Sequence, residues 1–306
     1  MGQPLQFLQL SLSFILVSAC LALGPYLPAQ AQVFAGSTAA ALGGAGRAGA
    51  EGTESLFFNP AVLAHMSRVE VGVFGLSGDW AAGESHKSLA FSVLDANPEL
   101  PLPGALSYLK RRRDLPSGAE LEEELWQVSV GQFVWPHWAV GLSVLRLQQD
   151  LSSAVESLPW ADAGRKVQWN GALGVLYTPQ SHLGVAWTFH NFIPASSRVT
   201  EELRLLPKMG LGGKYLMTDF LRLRLDLEKL LEQNPGGKVD VAMGLESLVG
   251  EFVALRLGSR WEPSQGREFF TAGLGFMGPR FLLNYSYQNR LRSGDTVHGV
   301  DLRMAF

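Results

Sequence analysis

Apolar and polar residues alternate along most of this chain, and this alternation constrains the fold more than any other feature. Between Leu221 and Glu228 every second residue is leucine, and every intervening residue is charged. Successive side chains of a β-strand point to opposite faces, whereas a helix would mix these residues around its axis. The same period of two recurs up to the last residue, Phe306. The sequence therefore predicts strands that have one apolar and one polar face.

Composition narrows the choice among β-proteins. Of the 306 residues, 47% are hydrophobic and 17% are charged, whereas an average soluble domain has about 25% charged residues. The formal net charge of -3 argues against a general nucleic-acid-binding protein. The single cysteine, Cys20, excludes an internal disulfide and a multi-cysteine zinc site. A membrane β-protein and an ordinary β-rich domain remain as the main options.

The first 31 residues have the features of an export signal. The stretch from Leu5 to Leu23 is mostly apolar and uncharged, and Ala29-Gln30-Ala31 is a small-x-small sequence typical of a signal peptidase site. We predict a signal peptide over residues 1–31 that is cleaved after Ala31. The sequence Val17-Ser18-Ala19-Cys20 resembles a bacterial lipobox, which gives a lipidated Cys20 as the alternative. Both alternatives place the protein outside the cytoplasm.

The rest of the chain divides into strands at turn residues. No run of 18 apolar residues follows the signal, so no transmembrane helix is predicted there. The turn signals indicate about fourteen strands of about ten residues each. The predicted strands cover residues 68–77, 87–95, 104–112, 123–134, 138–150, 165–178, 183–191, 203–216, 220–230, 238–248, 252–262, 267–276, 280–291 and 297–306.

Two architectures accommodate such strands: a closed membrane barrel and a secreted β-sandwich. An even number of strands, joined alternately by short turns and longer loops and flanked by aromatic residues, is typical of outer-membrane barrels. A closed barrel also leaves no unpaired sheet edge in lipid, where each unpaired backbone group costs several kcal/mol. We therefore predict an all-β fold, a closed antiparallel transmembrane barrel of about 14 strands over residues 68–306. The predicted protein is a monomer of the bacterial outer membrane.

Residues 32–67, between the signal and the barrel, form a separate segment that is rich in glycine and alanine. Small side chains allow close packing inside a barrel lumen, and Asn59-Pro60 favours a turn. The apolar residues Leu56-Phe57-Phe58 favour burial. The segment is predicted to be a lumenal plug, and a periplasmic tail without a plugging role is the alternative.

The end of this segment carries a motif, Phe58-Asn59-Pro60-Ala61-Val62-Leu63. It resembles the amino-terminal plug signature of the FadL-type long-chain fatty-acid transporters of the outer membrane, in which a small-residue stretch precedes aromatic-Asn-Pro-Ala-x-Leu. That family commonly has glycine where this chain has Val62. The motif is similar to that of a related branch, the outer-membrane shuttle and accessory barrels of type IX secretion. The terminal Phe306 resembles the carboxy-terminal signal that the outer-membrane assembly machinery reads.

The resemblance implies passive uptake of long-chain fatty acids or similar hydrophobic compounds, without a cofactor or a covalent step. It implies a hydrophobic small-molecule ligand, and the outer-membrane lipids, lipopolysaccharide and the assembly machinery as partners. The related branch implies the alternative, a protein-interaction barrel in a secretion system. The barrel topology places the basic run from Lys110 to Arg113 at the external mouth of the third strand, where it either contacts lipopolysaccharide phosphates or forms a solvated loop flank.

Motifs for catalysis or metal binding are weak. Gly44-Ala45-Gly46-Arg47-Ala48-Gly49 satisfies G-x-G-x-x-G, but no strand precedes it, as a dinucleotide site requires. His86 and Ser88 form an H-x-S pair like that of outer-membrane lipid A deacylases, which are much smaller barrels. The six histidines are scattered, so no metal site is predicted. We predict a protein that is not an enzyme.

Charged residues on the polar strand faces are predicted to point into the lumen, because a midplane arginine or lysine facing lipid costs about 2–4 kcal/mol. One interpretation is a set of cross-strand ion pairs. The other is a clamp for a fatty-acid carboxylate, with an apolar pocket for the tail. The candidate ligand-binding residues are Phe57, Phe58, Leu63, Arg222, Arg224 and Arg256, beside the plug motif Asn59, Pro60 and Ala61.

Overall fold

The computed structural model of this chain describes residues 36–49, 52–80, 84–114, 120–151, 165–194, 199, 203–231 and 237–306. The predicted signal peptide, with its cleavage site and Cys20, lies outside these residues. None of the helices in the described part is both long and apolar enough to cross a membrane.

Fourteen antiparallel strands form one closed barrel in the described residues. Each strand pairs with its neighbours in sequence, and the first strand pairs with the last, from Glu70 opposite Ala305 to Asp79 opposite Thr296. The predicted fold class is therefore confirmed. The strands are β1 (Val69–Trp80), β2 (Glu84–Asp95), β3 (Gly104–Asp114), β4 (Glu120–Trp135), β5 (Trp138–Leu151), β6 (Lys166–Gln180), β7 (Leu183–His190), β8 (Lys208–Thr218), β9 (Leu221–Leu230), β10 (Val239–Val249), β11 (Val253–Glu262), β12 (Arg267–Met277), β13 (Phe281–Arg290) and β14 (Thr296–Ala305).

The two ends of the barrel differ in their connections. At the end where β1 begins and β14 ends, here called the turn end, most strands are joined by two or three residues, such as 136–137, 181–182 and 250–252. The connection 96–103 is the longer exception, as the sequence predicts. The opposite end, here called the loop end, carries the longer connections 152–165 and 191–207. This alternation is typical of outer-membrane barrels.

The two faces of each strand separate apolar from polar residues as predicted. On β9, Leu223 and Leu225 are 43% and 41% exposed on the outer surface, while Arg224 and Asp226 point inward and are each 2% exposed. Aromatic residues cluster on the outer surface near the turn end, where Trp138 stacks on Tyr177 at 4.4 Å between ring centroids. An apolar outer band that is flanked by aromatic residues is the surface that a barrel presents to lipid.

One strand begins later than predicted. β8 starts at Lys208 and not at residue 203. Pro207 has no N–H to donate to a ladder, so a strand favours beginning after it. The residues before it turn into the barrel instead, and Leu203 and Leu205 are buried there.

The described part of the N-terminal segment, residues 36–49 and 52–68, lies inside the barrel. It contains a short helix, α1 (Ser37–Ala41), and two 3₁₀ helices, Gly52–Phe57 and Pro60–His65. Almost all of its residues up to Leu63 are buried. Thr271 of β12 holds the end of α1, because its hydroxyl donates to the Ala41 carbonyl oxygen over 2.8 Å and accepts from Gly43 N over 2.9 Å.

Candidate functional site

The motif Asn59-Pro60-Ala61 is fixed by its own hydrogen bonds and by glycines of the barrel wall. Asn59 Oδ1 accepts from Ala61 N over 3.0 Å, and Asn59 Nδ2 donates to the Arg47 carbonyl oxygen over 2.9 Å. On the wall, a Cβ atom at Gly141 or Gly174 would collide with Pro60 or Asn59. The motif therefore shapes a turn that fits against β5 and β6, where only glycine leaves enough room.

The glycine-rich sequence around Arg47 binds a side chain of the barrel. The backbone N–H groups of Gly46 and Arg47 both donate to Asp226 Oδ2, over 2.9 and 3.0 Å. The Arg47 guanidinium also pairs with Asp226 at 3.2 Å and with Glu228. Gly210 and Gly212 on β8 leave the space that this side chain occupies. The G-x-G-x-x-G pattern thus serves to attach the segment to β8 and β9.

The three candidate arginines converge on one carboxylate of the chain itself. Glu246 Oε1 accepts from Arg222 Nη1 over 3.2 Å and from Arg224 Nη2 over 3.3 Å, and Glu246 Oε2 accepts from Arg256 Nε over 2.6 Å. Arg256 also donates to Asn284 over 2.9 Å. The cross-strand ion pairs expected for these strands are present. The role of the arginines in ligand binding stays a prediction.

A strip of apolar side chains lines one side of the lumen, and the sequence argument missed it. We call this cluster the apolar strip, and all of its members are buried. Its members are Phe74 and Leu76 of β1, Ala90 of β2, Leu109 of β3, Leu125 of β4, Leu145 and Leu147 of β5, Val297 of β14, and Leu205. Phe57 of the N-terminal segment packs against it. The sequence feature that indicates the strip is a pair of adjacent apolar residues, such as Leu125-Trp126, which makes both faces of a strand apolar.

The connection between β7 and β8 covers the strip toward the loop end. Leu205 belongs to the strip, while Val199 and Leu203 pack with Leu121 and Leu151 in a second apolar cluster. Gln168 of β6 holds this connection, because its side chain donates to the Leu203 carbonyl oxygen over 2.7 Å and accepts from Leu205 N over 3.3 Å. Apolar contacts thus continue from the loop end to Phe57.

Two clefts border the segment, and Phe57 lines both. The first cleft, of about 520 Å³ including space open to solvent, is lined by Phe57, Phe58 and charged residues of β8 to β11. The second cleft, of about 240 Å³ on the same basis, is lined by Phe57, Glu54, Asp301 and residues of β1 and β2. Neither lining includes the three candidate arginines or Leu63. Leu63 instead packs with Leu56, Leu94 and Ala96.

The remaining candidate groups do not assemble into a catalytic or metal centre in the described part of the chain. Neither His86 Nε2 nor Ser88 Oγ has a hydrogen-bond partner there, so these two atoms do not pair as a base and a nucleophile. The described residues contain no group of three or more histidine, cysteine, aspartate or glutamate side chains placed to hold a metal ion. Arg111 of the basic run points inward and pairs with Glu123.

Solved structures share this architecture. The chain superposes on the CymD monoaromatic hydrocarbon channel with a TM-score of 0.68 and 13% identity, covering 91% of this chain and 99% of that one. For the toluene transporter TbuX of Ralstonia pickettii the TM-score is 0.63 and the sequence identity is 12%, over 88% of this chain and 97% of that one. For a FadL homologue of Pseudomonas aeruginosa the TM-score is 0.61 and the identity is 11%, over 94% of this chain and 100% of that one. No protein-family model and no curated protein sequence matches the chain.

These likenesses define the class of the fold. The chain has the architecture of the outer-membrane hydrocarbon channels and FadL-like transporters, over most of its length. The resemblance predicted from the Asn59-Pro60-Ala61 motif is confirmed as a likeness of fold. At 11–13% identity, the shared fold does not assign a ligand.

Proposed function

We propose that this protein is a passive outer-membrane channel that takes up hydrophobic small molecules through its lumen. The observation that carries the proposal is the apolar strip. Leucines on a lumen wall lower the free energy only when they contact apolar groups, so a lumen that held only water would not favour them. Burial of apolar surface is favourable by about 25 cal/mol per Å², so the strip would hold an apolar ligand that displaces Phe57 or Leu205. Two structural neighbours, a monoaromatic hydrocarbon channel and a toluene transporter, support this class of ligand.

The N-terminal segment acts as the plug in this proposal. Its Phe57 packs against the strip, so a ligand moving along the strip meets this side chain. The signal peptide over residues 1–31 delivers the chain to the periplasm, Phe306 directs its assembly, and the loop end faces the outside. Long-chain fatty acids are the ligand that the motif resemblance implies, and monoaromatic hydrocarbons are the ligand that the neighbours suggest.

Uptake of radiolabelled oleate and of radiolabelled ethylbenzene by Gram-negative cells that lack their own channel tests the proposal. Leu125→Asn places an amide in the apolar strip. We expect it to reduce the initial uptake rate about tenfold, because an unpaired buried amide costs about 1–3 kcal/mol. Ala242→Asn, which places the same group in the first cleft, is the matched control and leaves uptake unchanged. If only Ala242→Asn reduced uptake, the ligand would pass through the first cleft and not along the apolar strip.

Native mass spectrometry of the protein extracted from its own membrane separates this proposal from the secretion alternative. A bound hydrocarbon or fatty acid would support the channel and identify its ligand. A co-extracted protein without a small-molecule adduct would favour a protein-interaction barrel.

A further inference from the structure

The second cleft joins the apolar strip to a polar group of the N-terminal segment. Phe57, Phe74 and Ala90, which line this cleft, also belong to the strip or pack against it. The polar part of the lining consists of Thr53, Glu54, Ser92 and Asp301. A molecule that follows the strip toward the turn end therefore reaches Glu54.

Glu54 has one satisfied and one unsatisfied carboxylate oxygen. Oε2 accepts from Ala39 N over 3.3 Å, which ties the first 3₁₀ helix to α1. Oε1 is buried and accepts no hydrogen bond in the described structure, and the residue as a whole is 4% exposed. A buried acceptor without a donor has lost its hydrogen bonds to water without replacement, which is unfavourable. A ligand that brings a donor to Oε1 would recover this free energy.

The charges around the cleft exclude one class of ligand. Two carboxylates, Glu54 and Asp301, line it, and its described lining contains no cationic side chain. Arg303 of β14 is engaged elsewhere, since it pairs with Asp301 at 3.1 Å and donates to Thr38 over 3.2 Å. A ligand carboxylate would meet like charges here.

We propose that the second cleft binds the hydroxyl group of a mainly apolar alcohol or phenol, which donates to Glu54 Oε1 while the apolar strip holds the rest of the molecule. This inference rests on the proposed function and names its ligand class. A neutral hydroxyl crosses the strip at lower desolvation cost than an ammonium group, because burying a charge costs more than burying a hydroxyl. It also makes the hydrogen bond that a pure hydrocarbon lacks.

Three ligands with one shared skeleton test the inference: 4-ethylphenol, ethylbenzene and 4-ethylbenzoate. Their dissociation constants for the purified full chain in detergent are measured by isothermal titration calorimetry. We expect 4-ethylphenol to bind about tenfold more tightly than ethylbenzene, as a hydrogen bond to a charged acceptor predicts. We expect 4-ethylbenzoate to bind most weakly.

Glu54→Gln is the informative variant. The amide oxygen can still accept from Ala39 N, and its NH₂ group then faces the cleft as a donor. The preference should therefore shift from 4-ethylphenol toward 4-ethylbenzoate. Glu122→Gln makes the same change on a partly exposed glutamate of β4 that pairs with Lys110, and it should leave the order of affinities unchanged.

A measurement on the unaltered protein tests the inference without a substitution in the segment. Burial raises the pKa of Glu54 to about 7. Affinity for 4-ethylphenol should therefore rise between pH 6 and pH 8, while affinity for ethylbenzene stays constant. Equal affinities for all three ligands, unaffected by Glu54→Gln and by pH, would overturn the inference but would not contradict the proposed channel function. No binding of any ligand, together with no uptake by cells, would overturn the proposed function itself.

Discussion

Arg47 and Asp226 are joined through both the backbone and the side chain: the Arg47 N–H donates to Asp226 Oδ2 over 3.0 Å, and Arg47 Nη1 approaches the same oxygen at 3.2 Å. One carboxylate of β9 thus fixes both the path of the N-terminal segment and the direction of its only arginine between residues 36 and 49. The pair is buried on both sides. It is the point where removal of one side chain should release the segment.

Arg47→Ala should loosen the N-terminal segment without opening the barrel. The change leaves Asp226 and Glu228 without their arginine, and breaking a buried ion pair from one side costs about 3–5 kcal/mol. Hydrogen exchange measured by mass spectrometry should show faster exchange over residues 36–49 and unchanged exchange in the strands. Arg292→Ala removes an exposed arginine that pairs with Glu268. This control should leave exchange unchanged both over residues 36–49 and in the strands.

Gly212→Val should displace the segment by steric conflict. A Cβ atom at Gly212 would lie 2.6 Å from the Arg47 Cβ, whereas a Cβ at the neighbouring Gly213 meets only the Leu225 carbonyl oxygen at 3.8 Å. Single-channel conductance in planar bilayers should therefore rise with Gly212→Val and stay at its original value with Gly213→Val. Equal conductance of both variants would show that the segment does not block the lumen.

Glu246→Gln should destabilise the barrel more than the same substitution at an exposed glutamate does. Three arginines share the Glu246 carboxylate, so its loss removes the negative charge that holds three positive charges close together. We expect a loss of about 3–5 kcal/mol, seen as a lower temperature of the heat-induced mobility shift on gels. Glu122→Gln should cost about 0–1 kcal/mol, because exposed ion pairs contribute little. A gain in oleate affinity with Glu246→Gln would assign the arginines to ligand binding.

Packing of the segment should weaken as the pH rises. Burial raises the pKa of Glu54 from 4.5 to about 7; Arg303 and Arg256 oppose this shift and Asp301 adds to it. Below pH 4.5 the group is protonated in both packed and released states, so burial carries no charge penalty. The packed state loses stability as the pH rises from 4.5 to about 7. Exchange over residues 36–49, corrected for intrinsic rates, should be faster at pH 8 than at pH 5, and Glu54→Gln should remove the difference.

The barrel was predictable because its determinants are local. Side-chain alternation has a period of two whatever the strand pairs with, so sequences such as Leu221 to Glu228 reveal both the strand and its faces. Strand ends were harder to predict: the start of β8 depends on Pro207 and on the burial of Leu205 by other strands. The predicted inward direction of Arg224, Asp226 and Glu246 agrees with the structure, since lipid excludes charge from the other face.

The strand number follows from the turn residues of the sequence, and the polarity of each strand face follows from its alternation. In lipid, strands of this kind close into a barrel because every backbone group needs a partner. Which side chains meet across the lumen follows only from the closed structure. Closure brings Arg222, Arg224 and Arg256 onto Glu246, gathers leucines of separate strands into the apolar strip, and leaves Glu54 Oε1 without a donor. These contacts join residues far apart in the chain, and their geometry follows from the register and curvature of the closed barrel.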